Sequence, residues 1–188
     1  MLKNGYQIQD FCEIINGAFI SKSSHTSVRH IVTDSRKFEM REGCVFFALT
    51  GSRSNGHHYI WDMYRDGVRI FVISQPVPIK TLHNATIIQV ENTLTALQQF
   101  AAHHRSLFHF PVVGVTGSNG KTIVKEWVYQ LLYRDYHIIR SPKSYNSQIG
   151  VPLSVLLINE THNFGVFEAG ISQPGEMEKL EKIIQPTI

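Results

Sequence analysis

Residues 112–127 read VVGVTGSNGKTIVKEW, and this stretch decides the fold. Its apolar start, extended back to Phe110, predicts a strand of the kind buried on both faces in a parallel sheet. Its end has helical spacing, with Ile123, Val124, Trp127, Val128, Leu131 and Leu132 expected on one buried stripe and Lys125, Glu126 and Gln130 on the other side. Between strand and helix lie Gly114, Gly117 and Gly120, then Lys121 and Thr122. Glycines let a backbone turn tightly and bring its N–H groups close to an anion. The helix that follows adds its positive N-terminal end. A lysine there supplies a point charge for β- and γ-phosphates, and a threonine hydroxyl suits Mg²⁺. The expectation is a phosphate cradle over Gly114, Thr116, Gly117, Ser118, Asn119, Gly120, Lys121 and Thr122. The spacing is not the common G-x-x-x-x-G-K-S/T, because Val115 stands where its first glycine would be. The competing reading is a glycine-rich turn with no ligand; strand, loop, Lys-Thr and helix in this order argue against it.

Working outward, strands and helices alternate. HIIRS (137–141) and FGVFEAG (164–170) read as strands; GVPLSVLLI (150–158) and PGEMEKLEKII (174–184) read as helices, the second stopped by Pro186. Alternation of this kind predicts a doubly wound parallel sheet. The chain closes on QPTI, where a fourth strand is expected to begin, so the sequence reads as the N-terminal piece of something longer. Residues 1–108 read as a separate mixed α/β domain, and residues 109–188 as the first part of a P-loop ATPase domain. In the first, helices are expected over 7–16, 57–67 and 93–108, and strands over 44–49, 68–74 and 85–90.

Composition narrows the class. The 188 residues are 43% apolar and 18% charged, with a formal net charge of +3. Lys and Arg are scattered, so no basic groove for nucleic acid is expected. Cys12 and Cys44 fit no ligand motif and read as free thiols of a reducing compartment. Asp10 and Glu13 fall where a signal peptide needs apolar residues, and no run approaches a membrane span of about 20 residues. A soluble cytoplasmic protein is expected. The adjacent pairs His57-His58 and His103-His104 point about 100° apart on a helix and make poor joint metal ligands.

Two further groups carry chemistry. Glu168 falls at the carboxyl end of its strand, the edge at which open α/β sheets bind ligands. It either holds Mg²⁺ against phosphates or faces water. Asn146 and Ser147 precede a helix and either cap it or contact a ligand.

The G-x-T-G-S-N-G-K-T form (114–122) resembles the ATP loop of the Mur ligases, the enzymes that build the peptidoglycan peptide. The family's asparagine segment leading into I-G-V-P, and its strand ending E-x-G before G-E, are matched by residues 146–152 and 168–176. TDSRKFEMREGCVFFALTGSRSNGHHYI (33–60) resembles the family's UDP-binding domain. NSQIGVPL (146–153) looks closest to the MurF branch; the threonine-rich segment of the MurE branch is missing. Two departures stand out: Ser147 replaces a second asparagine, and Asn55-Gly56-His57 replaces a D-G-H turn.

The resemblance implies ATP-dependent amide synthesis. D-Ala-D-Ala is joined to UDP-MurNAc-tripeptide through an acyl phosphate, with ATP and Mg²⁺ as cofactors. It implies catalytic roles for Lys121 and Glu168 and metal contacts from Thr122 and Glu168. It places Thr33, Asp34, Ser35, Arg36, Asn55, Gly56, His57, Asn146 and Ser147 near substrate. Arg36 pairs either with phosphate or with a neighbouring carboxylate. The family's carbamylated lysine, second metal-binding region and third domain lie beyond these residues, so the chain alone is expected to bind nucleotide without ligating. A parent fused to an alanine racemase fits the style of 145–154. Alternatives are a MurE-type or folylpolyglutamate-type ligase and a non-catalytic nucleotide-binding module. An ordinary P-loop kinase or GTPase fits worse, given the glycine spacing and the lack of N-K-x-D.

Overall fold

The computed structural model describes residues 5–37, 42–51 and 54–188, with the side chains of Lys37 and Ile79 left aside. Residues 38–41 and 52–53 of the segment likened to a UDP-binding domain therefore lie outside the described residues. The chain forms two compact units, Met1–Leu97 and Gln98–Ile188.

The first unit contains β1 (Tyr6–Gln7), α1 (Ile8–Ile14), β2 (Ala18–Ser21), β3 (Ser27–Val28), β4 (His30–Val32), β5 (Cys44–Phe47), α2 (Ile60–Arg65), β6 (Ile70–Ile73) and β7 (Thr86–Gln89). Five strands form a sheet in the order β2-β7-β6-β5-β4; β4 to β7 run parallel and β2 joins antiparallel. Every residue of β5 and β6 is buried, as unbroken apolar strands between two layers require. Successive side chains of β5 go to opposite faces. Phe46 meets Ile60 and Met63 of α2 in one core cluster, while Phe47 packs edge-on against Phe11 of α1. The strands β1 to β4 were not expected from the sequence. They are two to four residues long, and β2 and β4 are only partly buried, so neither periodicity nor apolar content marks them. The helix expected over 57–67 begins as a 3-10 turn at Gly56–Tyr59 and becomes α2 at Ile60; Gly67, at φ +102°, closes it.

Helix α3 (Thr93–Ser106) carries the division between the units. By compactness the chain divides at Leu97, inside α3, eleven residues before the domain boundary expected after residue 108, because the second half of α3 bonds into the later segment. His104 Nε2 donates to Ile158 O at 2.9 Å, and the Arg105 guanidinium donates to the carbonyls of Phe108, Ile184 and Gln185.

The second unit continues with β8 (Val112–Val115), α4 (Lys121–Leu132), β9 (Ile138–Arg140), α5 (Gly150–Val155), β10 (Phe164–Glu168) and α6 (Glu176–Ile184). The sheet is parallel in the order β8-β10-β9, as the βα alternation implied. Beyond α6 the backbone meets the free edge of β8: Thr187 N donates to Val112 O at 2.8 Å, and Gly114 N donates to Ile188 O at 3.1 Å.

Helix α4 corrects the expected stripe. Lys125 is fully buried, whereas Ile123, Val124, Trp127 and Leu131 are exposed, Trp127 at 63% and Leu131 at 78%. The inward line is Lys125, Val128 and Leu132, with spacing i, i+3, i+7. Val128 and Leu132 pack on Val115, Phe164 and Val166. Six apolar residues cover more of a helix than one face, and the line that points at the sheet contains the lysine.

Candidate nucleotide site at the strand edge

The loop between β8 and α4 is exposed from Thr116 to Gly120. Gly117 and Gly120 have φ of +140° and +76°. A Cβ at Gly120 would touch nothing, so conformation rather than space demands glycine there. Lys121 folds back, its Nζ donating to Gly117 O at 2.7 Å across the loop. Gly114, expected in the cradle, lies inside β8 instead. A Cβ there would meet Pro186 at 3.4 Å, so its place is in packing beside the segment after α6.

Register delivers the carboxylate. Val115 pairs with Glu168, so the last residues of β8 and β10 end at one level. Thr122, one residue into α4, donates its hydroxyl to Glu168 Oε2 at 3.1 Å. Of the two readings of Glu168, the water-facing one falls: its side chain is 0% exposed. Its backbone N–H donates to the buried Ser141 Oγ at 3.1 Å, and its Oε1 lies 3.0 Å from Lys125 Nζ. Apart from that ammonium, Oε1 has no hydrogen-bond donor and keeps a lone pair available. A threonine hydroxyl beside a carboxylate oxygen is the hard-oxygen donor set that Mg²⁺ favours, so these residues fit that ion. Sequence reasoning missed Lys125 and Ser141. Lys125 was legible only as the residue one turn beyond Lys121, in line with Val128 and Leu132.

Asn146 and Ser147 lie on the segment entering α5. Ser147 caps: its Oγ accepts from Gly150 N at 3.1 Å, and its carbonyl accepts from Val151 N. Asn146 O accepts from Gly170 N at 2.8 Å. A Cβ at Gly170 would come within 3.1 Å of the Asn146 amide carbon, so the side chain lies against the backbone two residues past Glu168.

In the first unit, Arg36 grips Asp34 through Nε and Nη2, both at 2.9 Å, and its side chain is 84% exposed. Of its two readings, the carboxylate pairing is observed. Ser35 opens a 3-10 turn beside Thr33 and Asp34 at the end of β4. The Asn55-Gly56-His57 turn is held from inside. Gly56 N donates to Leu49 O at 2.7 Å, and a Cβ at Gly56 would fall 2.7 Å from Leu49 N. His57 Nε2 accepts from the backbone N–H groups of Ser74 and Gln75 at 3.0 and 3.1 Å. Its Nδ1 therefore carries the proton and donates to Asn55 Oδ1 at 2.8 Å. Burial, helped by His58, pushes the ring's pKa down, which favours this neutral form. Both ring nitrogens are spent within the protein, and Asn55 supplies the oxygen that an aspartate would.

Comparison with known proteins agrees with this anatomy. Residues 27–105 match the family described as "Mur ligase family, catalytic domain", and residues 115–188 match the "Mur ligase middle domain". A Bacillus subtilis protein named UDP-N-acetylmuramoyl-tripeptide–D-alanyl-D-alanine ligase is 33% identical over 180 residues, covering 95% of this chain and 39% of the relative. The crystal structure of MurF from Acinetobacter baumannii superposes with a TM-score of 0.88 at 28% identity, over 97% of this chain and 39% of that one. MurF ligase from Thermotoga maritima, solved in complex with ADP, gives a TM-score of 0.74 at 33% identity, over 85% and 36% of the two chains. The chain thus spans about two-fifths of the length of these relatives. With two of the family's domains matched in tandem and the loop, hydroxyl and carboxylate assembled at one strand edge, the chain belongs to the Mur ligase family.

Proposed function

We propose that this chain supplies the substrate- and nucleotide-binding parts of an ATP-dependent peptide ligase of peptidoglycan precursor synthesis, one that adds D-Ala-D-Ala to UDP-MurNAc-tripeptide. The observation that carries the reading is the contact between Thr122, at the end of the glycine loop, and the buried Glu168. The relatives' names supply the substrate pair. Phosphoryl transfer depends on positioning and charge neutralisation more than on covalent help. The loop N–H groups of 116–120 and the start of α4 receive the phosphates. Lys121, freed from Gly117 O, neutralises charge on the transferred group. Thr122 and Glu168 hold Mg²⁺, which supplies Lewis-acid stabilisation when bound. The tripeptide carboxylate takes the γ-phosphoryl group, giving an acyl phosphate and ADP. The dipeptide amine then displaces phosphate to form the amide. ATP chemistry of this kind belongs in the cytoplasm.

The 188 residues alone are proposed to bind nucleotide without ligating, since they span two-fifths of the relatives' length. The test follows phosphate release by the full-length ligase containing this chain, given ATP, Mg²⁺ and UDP-MurNAc-tripeptide. Release that requires D-Ala-D-Ala and is lost in Lys121→Ala is expected. Release that instead requires a free diamino acid or lysine, with UDP-muramoyl-dipeptide, would assign the chain to the MurE branch.

A further inference from the structure

Lys125 lies outside the nucleotide loop, yet its ammonium is fully buried and ties together three segments that form the strand edge. It donates to Ser141 O at 2.8 Å and to Lys143 O at 2.6 Å, and it pairs with Glu168 Oε1 at 3.0 Å and Glu126 Oε1 at 3.3 Å. The Lys143 carbonyl comes from a residue at φ +50°, a conformation most side chains avoid. Glu126 in turn binds Arg140 through its other oxygen. Two cations and two carboxylates thus cancel. Lys121, half-buried at the mouth of the loop, adds a further positive charge.

This balance bears on how a divalent ion enters. A buried carboxylate without a counter-charge is costly, by several kcal/mol in real proteins. Lys125 removes that cost permanently, and with it the protein's own pull on a free cation. Sites that hold Mg²⁺ with one or two carboxylates rely on phosphate oxygens for the rest. Among the described residues, no three His, Cys, Asp or Glu side chains gather to replace them.

We propose that Lys125 is a positioning residue and built-in counter-cation for Glu168, keeping that carboxylate oriented and neutralised so that the strand edge takes up a divalent ion only together with a polyphosphate. The inference rests on the nucleotide reading of the loop and goes beyond it by assigning the order in which charge arrives.

The test uses the 188-residue chain and Mn²⁺ without nucleotide, read by electron paramagnetic resonance and by the shift in Tm. The wild-type chain is expected to show neither binding nor a Tm shift at about 1 mM Mn²⁺. Lys125→Gln keeps amide donors for the two carbonyls but drops the charge. It is expected to melt lower, to bind Mn²⁺ at least about tenfold more tightly, and to regain Tm on metal addition. Lys125→Arg, which keeps the charge, should stay as insensitive to free metal as the wild type. A second change, Glu168→Gln, should erase the gain. If Lys125→Gln is unfolded without metal, refolding on Mn²⁺ addition supports the proposal, and failure to refold overturns it. Wild-type chain that binds free Mn²⁺ as tightly as the variant also overturns it. So does a variant that merely loses stability, as a purely structural lysine would, or a gain that survives Glu168→Gln. None of these arms needs nucleotide. Failure of the nucleotide reading would instead appear as an absence of ADP binding with or without metal.

Discussion

Thr122 and Glu168 are 46 residues apart in sequence and 3.1 Å apart in the structure. Removing the hydroxyl with Thr122→Val leaves Glu168 Oε2 buried without its donor. That is expected to cost about 1–3 kcal/mol in urea unfolding, while Thr122→Ser stays near wild type. His57 gives a second expectation. Its pKa is lowered by burial, so its neutral ring contributes stability that is present above the unfolded value of about 6.5 and lost as pH falls through the folded value. A protonated Nε2 no longer accepts the amides of Ser74 and Gln75. Those two amides should keep their hydrogen-exchange protection through the ordinary imidazole range and lose it, beyond the general trend, only as pH falls through the lowered folded value, and His57→Ala should have lost it at every pH. At this scale the sequence was legible where residue type dictates local geometry, as with the positive φ of Gly117 and Gly120 and the placing of Lys121 and Thr122 at the start of α4. It was illegible for Lys125. A lysine on a helix goes to solvent by default, and only two backbone carbonyls and a carboxylate from distant segments reverse that default.

The elements teach a related lesson. Alternation of βα units was readable because each buried strand of the second unit is followed by a helix of ordinary spacing. The direction in which α4 faces was not, because its six apolar residues spread over about half its circumference, and the sheet-facing line lies at one margin of that spread. Exposed Leu131 and Trp127 should therefore tolerate alanine within about 0.5 kcal/mol, despite their apolar character. Lys125→Ala, from the same helix, should cost several times more in the same denaturant series, since it strands Glu168. Gly120→Ala faces no clash but must hold φ at +76°, so a loss of about 1 kcal/mol is expected from conformation alone. The short strands β1 to β4 escaped the sequence for a different reason. Their pairing is supplied by partners elsewhere, as β2 takes its register from β7.

For the whole molecule, the sequence placed the division after residue 108, where the helical pattern of α3 ends. The compact units meet at Leu97 instead, which follows from what the second half of the helix bonds to, and no local pattern records that. Arg105 is the clearest case: buried to 4% exposure, it caps the end of α6 through Ile184 O and Gln185 O and also holds Phe108 O. Arg105→Met, similar in length but without donors, should lower the stability of the second unit by about 3 kcal/mol, measured as an earlier unfolding step in denaturant.

The same guanidinium has a kinetic meaning. Its acceptors lie 79 and 80 residues further along the chain. Contacts of such long reach are closed late and slow folding. During synthesis, α3 is made well before the carbonyls that receive its arginine. The second unit is therefore expected to gain resistance to proteolysis in one late step, only after Gln185 has cleared the ribosome. Stalled chains ending before α6 should remain cleavable around residue 105, even where β8 has already emerged.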